Sequence, residues 1–198
     1  MDDKKIKWLF VSAASVLLLL IISAIVLYRM ELSNPSIPVY GEVAPFSYTE
    51  RNGDAFGSEQ LTGKTSVINF FFTSCEGPCP LMNGKVAELY RNFNGSPNVQ
   101  FISISVDTYR DSVQALQQYA VRFGVTDRRW LFLRAPIHEV KELSEKTFML
   151  ASSDVPGLHS TKLILIDGQR KVRGYYSSED SNSLRILEEH IRELTKEP

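Results

Sequence analysis

The sequence predicts an α/β sandwich carried behind an N-terminal membrane-spanning helix. Three observations carry that prediction. Trp8 to Tyr28 is a run of 21 residues without a charge, rich in Leu, Ile, Val and Ala. Beyond it, short continuous apolar runs alternate with segments whose apolar residues recur at spacings of three and four, the pattern of buried strands and one-sided helices. The only two cysteines, Cys75 and Cys79, stand where one such run passes into one such helical segment.

The first apolar run is long enough to cross a bilayer, which takes about 20 apolar residues as a helix. Lys4, Lys5 and Lys7 precede it and only Arg29 follows closely. The basic residues therefore put residues 1–7 in the cytoplasm and everything beyond residue 28 outside it. A cleaved signal peptide is the competing reading, but its apolar core is usually about 7–15 residues. Residues 8–28 are accordingly expected to be an uncleaved single-pass anchor. Glu31 to Pro45 contains Pro35, Pro38 and Pro45 with no apolar period, so 29–45 is expected to be a tether. Residues 46–198 then form one extracytoplasmic, periplasmic-type domain.

Within that domain Phe46-Ser47-Tyr48-Thr49 reads as a short strand, followed by a turn at Asn52-Gly53-Asp54. Ser66 to Phe72 is a central strand buried on both faces. Met82, Val86, Leu89, Tyr90 and Phe93 outline a helix that Asn94-Gly95-Ser96-Pro97 ends. Val99 to Val106 is a second strand, stopped by Asp107, and Val113, Leu116, Tyr119, Ala120 and Phe123 outline a second helix. Trp130 to Leu133 is a short strand, and Val140, Leu143 and Phe148 mark a shorter helix. Lys162 to Ile166 and Lys171 to Tyr176 are strands about an Asp167-Gly168 hairpin turn. Leu184, Leu187, Ile191 and Leu194 complete a terminal helix. Strand, cysteine loop, helix, strand, helix, hairpin, helix is the order of a thioredoxin-like sandwich. In that order the Gly157–Thr161 loop faces the cysteines, and sites form at the carboxyl ends of the strands.

Charge excludes one class of function. The chain has 22 Lys+Arg against 23 Asp+Glu, a formal net charge of −1. Four of the basic residues belong to the first thirty, so the remaining body is slightly acidic and has no electrostatic case for nucleic acid. A domain of this length builds a core without cross-links. A disulfide between cysteines four apart would close too small a loop to stabilise much, which makes the pair functional rather than structural.

The cysteines have three residues between them, where thioredoxin-type redox motifs have two. On a helix, residues four apart hold their Cβ atoms about 5–6 Å apart, whereas a disulfide wants about 3.5–4.5 Å. Two sulfurs on one metal at about 2.3 Å each stand about 4 Å apart. The spacing thus suits a metal more comfortably than a disulfide, without forbidding a disulfide if Cys75 lies in the loop. Pro78 and Pro80 preset a helix start, and a helix N-terminus favours the thiolate that both metal binding and nucleophilic attack require. Glu76 opposes this with negative charge. Of the three histidines, His138 and His190 lie in polar helical patterns and read as solvated, while His159 sits in the loop expected to face the cysteines. The competing role for His159 is a loop histidine bonded to backbone. Two thiolates and an imidazole suit Cu(I), and the imidazole also suits Cu(II). Zinc needs a fourth ligand, for which Asp107 or Glu76 is available.

Cys75-Glu76-Gly77-Pro78-Cys79-Pro80, then Ser103-Ile104-Ser105-Val106-Asp107 with Arg110-Asp111, then His159-Ser160-Thr161 before a strand and Asp167-Gly168, resembles the Sco/SenC family over about residues 40–195. The resemblance implies a membrane-tethered, thioredoxin-like copper protein that helps assemble the CuA centre of cytochrome c oxidase. It implies Cys75, Cys79 and His159 as copper ligands, with Asp107 close behind them. The chain departs from the family in having Glu76 where proline commonly follows the first cysteine, Phe71-Phe72-Thr73 where Gly-Tyr-Thr is usual, and little likeness over 124–158. Two functions compete. One is a copper chaperone for the cytochrome c oxidase subunit carrying CuA, or for another copper client. The other is a thiol–disulfide oxidoreductase, with Cys75 attacking a partner disulfide and Cys79 resolving the mixed disulfide. Peroxidase chemistry finds neither the Thr or Ser three residues before a cysteine nor a nearby arginine.

Overall fold

The computed structural model describes residues 37–150 and 160–196, together with residues 8, 13 and 15–24. The chain divides into two compact units, one up to Ile37 and one from Pro38 onward. In the first, residues 15–24 are helical. The remainder of the expected 8–28 anchor, apart from residues 8 and 13, lies outside the described residues. Among the described residues no helix is long and apolar enough to cross a membrane.

The second unit is built on one eight-stranded sheet. Its strands are β1 (Gly41–Glu42), β2 (Ser47–Glu50), β3 (Ala55–Gly57), β4 (Thr65–Phe71), β5 (Val99–Ser105), β6 (Trp130–Arg134), β7 (Lys162–Ile166) and β8 (Lys171–Ser177). The helices are α1 (Pro78–Asn92), α2 (Val113–Arg122), α3 (Ile137–Glu142), which runs on into a π turn at Leu143–Thr147, and α4 (Ser181–Lys196). The sheet order is β1-β8-β7-β4-β5-β6-β2-β3. The expected strands and helices of the thioredoxin-like order all form. β4, β5 and β6 run parallel, joined by the α1 and α2 crossovers, while β7 flanks β4 antiparallel. A paired strand on each side and covered faces explain why β4 and β5 are buried at every position and read as unbroken apolar runs.

The two faces of β4 meet different layers. Ile68 and Phe70 point into a core with Ile102, Ile104, Leu133, Ile164 and the α3 segment residues Val140, Leu143 and Phe148. Phe148 is wholly buried with its ring centroid 6.0 Å from that of Phe70. On the opposite face Phe71 packs its ring 4.9 Å from Tyr119 of α2, and Asn69 meets Asn83 of α1. Side chains two apart on a strand share a face, so α1 and α2 lie on one side and the α3 segment on the other.

Three local outcomes differ from expectation. Gly41 and Glu42, inside the stretch read as a tether (29–45), pair with Val172 and Lys171, and Val43 behind them is buried. A two-residue strand has no periodicity to announce it, so the proline-rich composition spoke for the whole stretch. The 167–170 hairpin turn places its positive φ at Arg170 (63°) rather than at Gly168. Gly168 serves close approach instead, because a Cβ there would stand 3.3 Å from Gly63 Cα. His190, read as solvated, lies beside a buried tyrosine, with Tyr176 Oη and His190 Nδ1 2.6 Å apart.

That tyrosine depends on a glycine. A Cβ on Gly174 would lie 2.5 Å from Tyr176 Oη and 2.7 Å from its ring, so the ring lies over Gly174 and an alanine there forces it away from His190. Gly174→Ala is expected to destabilise the domain by about 1–3 kcal/mol, the usual cost of overpacking, measured by thermal unfolding against His190→Ala, which removes the hydrogen bond and ring contact to Tyr176 without overpacking.

Candidate metal and thiol site

The site begins where β4 ends. Cys75 sits in the turn after the strand, its backbone N–H donating to Phe72 O at 3.3 Å, and α1 starts at Pro78, so Cys79 lies in the first helical turn. Cys75 is therefore outside the helix, and the distance expected for two helical residues four apart does not apply. The turn folds back until the two sulfurs share a hydrogen bond. Both are thiols rather than a disulfide, and both are buried, Cys75 at 7% and Cys79 at 1% exposure. Burial, then the hydrogen bond with Cys75, pushes the Cys79 thiol up to about 12, and the backbone amides of Phe72 and Cys79 pull weakly the other way. Glu76 is exposed.

What anchors this loop is a buried carboxylate, Asp111. It is wholly buried and accepts from Thr73 N (3.1 Å) and Thr73 Oγ1 (2.5 Å), two residues before Cys75. It also accepts from Ser105 Oγ (2.5 Å) at the end of β5. Among the described residues no cation pairs with it. Its stabilisation comes from those donors and from its place just before Ser112, the N-cap of α2, whose Oγ accepts from Ala115 N. The carboxylate of Asp107, expected close behind the metal ligands, accepts from Arg110 N at 3.3 Å and pairs with Arg110 Nε at 3.7 Å. Asp107 thus shapes the turn that delivers Asp111. The motif segment contained both aspartates, and the choice between them depended on which one the turn points inward.

Beneath the thiols runs a buried polar chain. Asn69 Nδ2 donates to Asn83 Oδ1 (2.9 Å), Asn83 Nδ2 donates to Tyr119 Oη (3.1 Å), Ser103 Oγ donates to Asn69 Oδ1 (2.8 Å) and Trp130 Nε1 donates to Ser103 Oγ (3.0 Å). Burial raises the Tyr119 hydroxyl to about 12; Asn83 opposes this, and charge on Cys79 and Cys75 adds to it, so Tyr119 stands within electrostatic reach of the thiols. Tyr119 was legible only as a core position on a helix face. His159 lies outside the described residues. It precedes Ser160 and β7, and the antiparallel register of β7 with β4 (Ile164 opposite Ile68) puts the start of β7 at the same sheet end as the cysteine turn. Among the described residues no group of three His, Cys, Asp or Glu side chains forms a metal cluster.

The comparisons with known proteins bear on this site. The SCO1/SenC family model matches residues 38–196. The chain belongs to the SCO1/SenC family. It is 27% identical over 146 residues to the SCO1 protein homolog of Bacillus subtilis, covering 71% of this chain and 76% of that one. BsSco, a member of the Sco family of cytochrome c oxidase assembly proteins in which a disulfide switch was identified, shares the fold at a TM-score of 0.72 and 22% identity, over 82% of this chain and 99% of that one. Yeast Sco1, solved with copper bound, is similar at a TM-score of 0.62 and 25% identity, over 77% and 89%.

Removing the Asp111 carboxylate leaves the Thr73 amide and two hydroxyls without their acceptor. Asp111→Ala is expected to cost about 3 kcal/mol, the range for buried donors losing a charged partner, and to speed amide exchange at Thr73. Asp107→Ala is expected to cost well under half as much. Denaturant unfolding and hydrogen exchange measure both.

Proposed function

We propose that this SCO1/SenC chain is a membrane-anchored copper chaperone. It takes one copper ion on Cys75, Cys79 and His159 and delivers it to a client, the cytochrome c oxidase subunit that carries CuA. The observation that carries the reading is the pair of touching, reduced thiols held at the first turn of α1 by an anchored loop. Thiolate and imidazole donors form a soft set that suits Cu(I), and a pair this close fits a single ion without spreading the loop. Copper is cargo here, so the site has to release it as well as hold it. A site on a turn, flanked by the exposed Glu76 and Gly77, permits transfer by ligand exchange. The uncharged run 8–28 and the lysines before it support an anchor with a cytoplasmic N-terminus and the domain on the far side.

The thiol–disulfide reading keeps one observation in its favour, the asymmetry between the pair. Cys75 is the less buried of the two, in the turn, and Cys79 lies deeper in the first turn of α1, the placement expected of an attacking and a resolving thiol. With the sulfurs in hydrogen-bond contact, the loop suits disulfide closure as well as metal binding, and the cysteine spacing favours neither.

Anaerobic copper titration of the full-length chain in detergent, with metal counted per chain, is expected to give one copper. Cys75→Ser and Cys79→Ser each abolish it, and His159→Ala weakens it more than about tenfold while leaving both thiols reactive. Unchanged copper affinity in His159→Ala would remove that histidine from the ligand set. Because copper displaces the proton that burial holds on Cys79 up to about 12, apparent affinity rises with pH throughout the neutral range, by about tenfold per unit for each thiol proton released. Competition titrations at pH 6, 7 and 8 read that slope, and an affinity independent of pH over that range is the contrary result.

A further inference from the structure

Beside the cysteine loop, at the same end of the sheet, the turn after β5 and the end of β6 enclose a cleft lined by Thr49, Thr108, Tyr109, Arg134 and His138. Arg134 is its main charge. Its Nη2 donates to Thr108 O at 2.9 Å, while its buried Nε has no acceptor. Among the described residues no carboxylate pairs with it. The three carboxylates next in sequence to the cleft residues have other partners, Glu50 with Arg51, Asp107 with Arg110 and Glu139 with His138. A guanidinium carries five N–H donors in a fork that matches a carboxylate, and leaving a half-buried one with a single acceptor and no counter-ion is unfavourable.

The surroundings point to a protein as the source of the missing anion. Tyr109 stands at the rim 93% exposed, and tyrosine with arginine is the pairing enriched at interface anchor points. The wall of the cleft is also tied to the cysteines: Val106 N donates to Phe71 O, and Asp111, at the end of the same turn, holds Thr73. A partner gripped here is held next to the thiols. We propose that the cleft is a docking pocket for an aspartate or glutamate side chain of a partner protein, which pairs with Arg134 while the partner's surface rests on Tyr109. The proposal rests on the reading of this chain as a copper donor to a protein client, and it names the contact that such a client makes.

The test uses the full-length chain in detergent, uniformly labelled with 15N, following the Arg134 Nε–Hε resonance, assigned by its loss in R134K. The probes are acetyl-Ala-Glu-Glu-Ala-amide, its Gln-for-Glu counterpart and inorganic phosphate at matched ionic strength. The acidic peptide is expected to shift the resonance saturably while the other two do not, and R134Q is expected to raise the midpoint read at the Thr108 amide by about tenfold or more, the loss of one charge-assisted pair. No response to the acidic peptide, or an equal response to the Gln peptide or to phosphate, overturns the proposal. The wild-type resonance answers the question even if R134Q unfolds. Copper per chain measured on the same samples separates the two readings: loss of the pocket leaves the metal bound, and failure of the copper reading leaves the peptide response intact.

Discussion

The buried carboxylate of Asp111 is the contact on which the site depends. It reaches from the N-terminal end of α2 to the ends of two neighbouring parallel strands, gripping Thr73 after β4 and Ser105 at the close of β5. A carboxylate buried without a cation is costly unless donors surround it, and here an amide, two hydroxyls and a helix N-terminus do so. Each donor is used only while α2, β4 and β5 keep their relative positions, so the same group that needs them also locks them. The cysteine turn begins two residues beyond the grip, and its geometry is inherited from it.

Around this lock the two faces of the sheet are built differently. The face under the α3 segment is apolar and closed by Phe148 against Phe70. The face under α1 and α2 mixes aromatic packing with the Asn69–Asn83–Tyr119 and Ser103–Trp130 hydrogen bonds. A fully paired polar chain in low dielectric is strong and directional. It fixes the roll and height of α1, whose first turn carries Cys79, in a way that hydrophobic contacts alone would leave looser. Specificity of position, more than added stability, is what such a chain supplies to a site that holds two sulfurs together.

The end of the sheet that carries the thiols also carries the molecule's underused groups. Arg134, at the end of β6, keeps a donor without an acceptor and donates to Thr108, and Tyr109 beside it keeps its ring in solvent on the turn that Val106 bonds to the end of β4. On the proposed reading as a copper donor, transfer by ligand exchange brings a second protein to this edge. At the opposite strand ends Gly168 lies against Gly63 and Asp167 pairs with Arg173 at 2.7 Å.

Sequence by itself determined the alternation of elements, the central strand 66–72, the helix after the cysteines and the family, because hydrophobic period and the Cys-x-x-x-Cys-Pro motif are local properties written in adjacent residues. It also put the thiol pair at the end of the central strand. Tertiary structure decided the rest. Whether Cys75 lay in the helix or in the turn depended on where β4 ends, and the answer removed the spacing argument against a disulfide. Which aspartate served the site depended on the direction of one turn, so Asp107 and Asp111, four residues apart and alike in sequence, took different roles. The short β1 strand and the surroundings of Arg134 rest on partners many residues away, and the Gly174–Tyr176–His190 contact joins a strand to a separate helix, none of which a local pattern carries. Periodicity reports what a residue turns toward the core, and only the closed fold reports what it meets there.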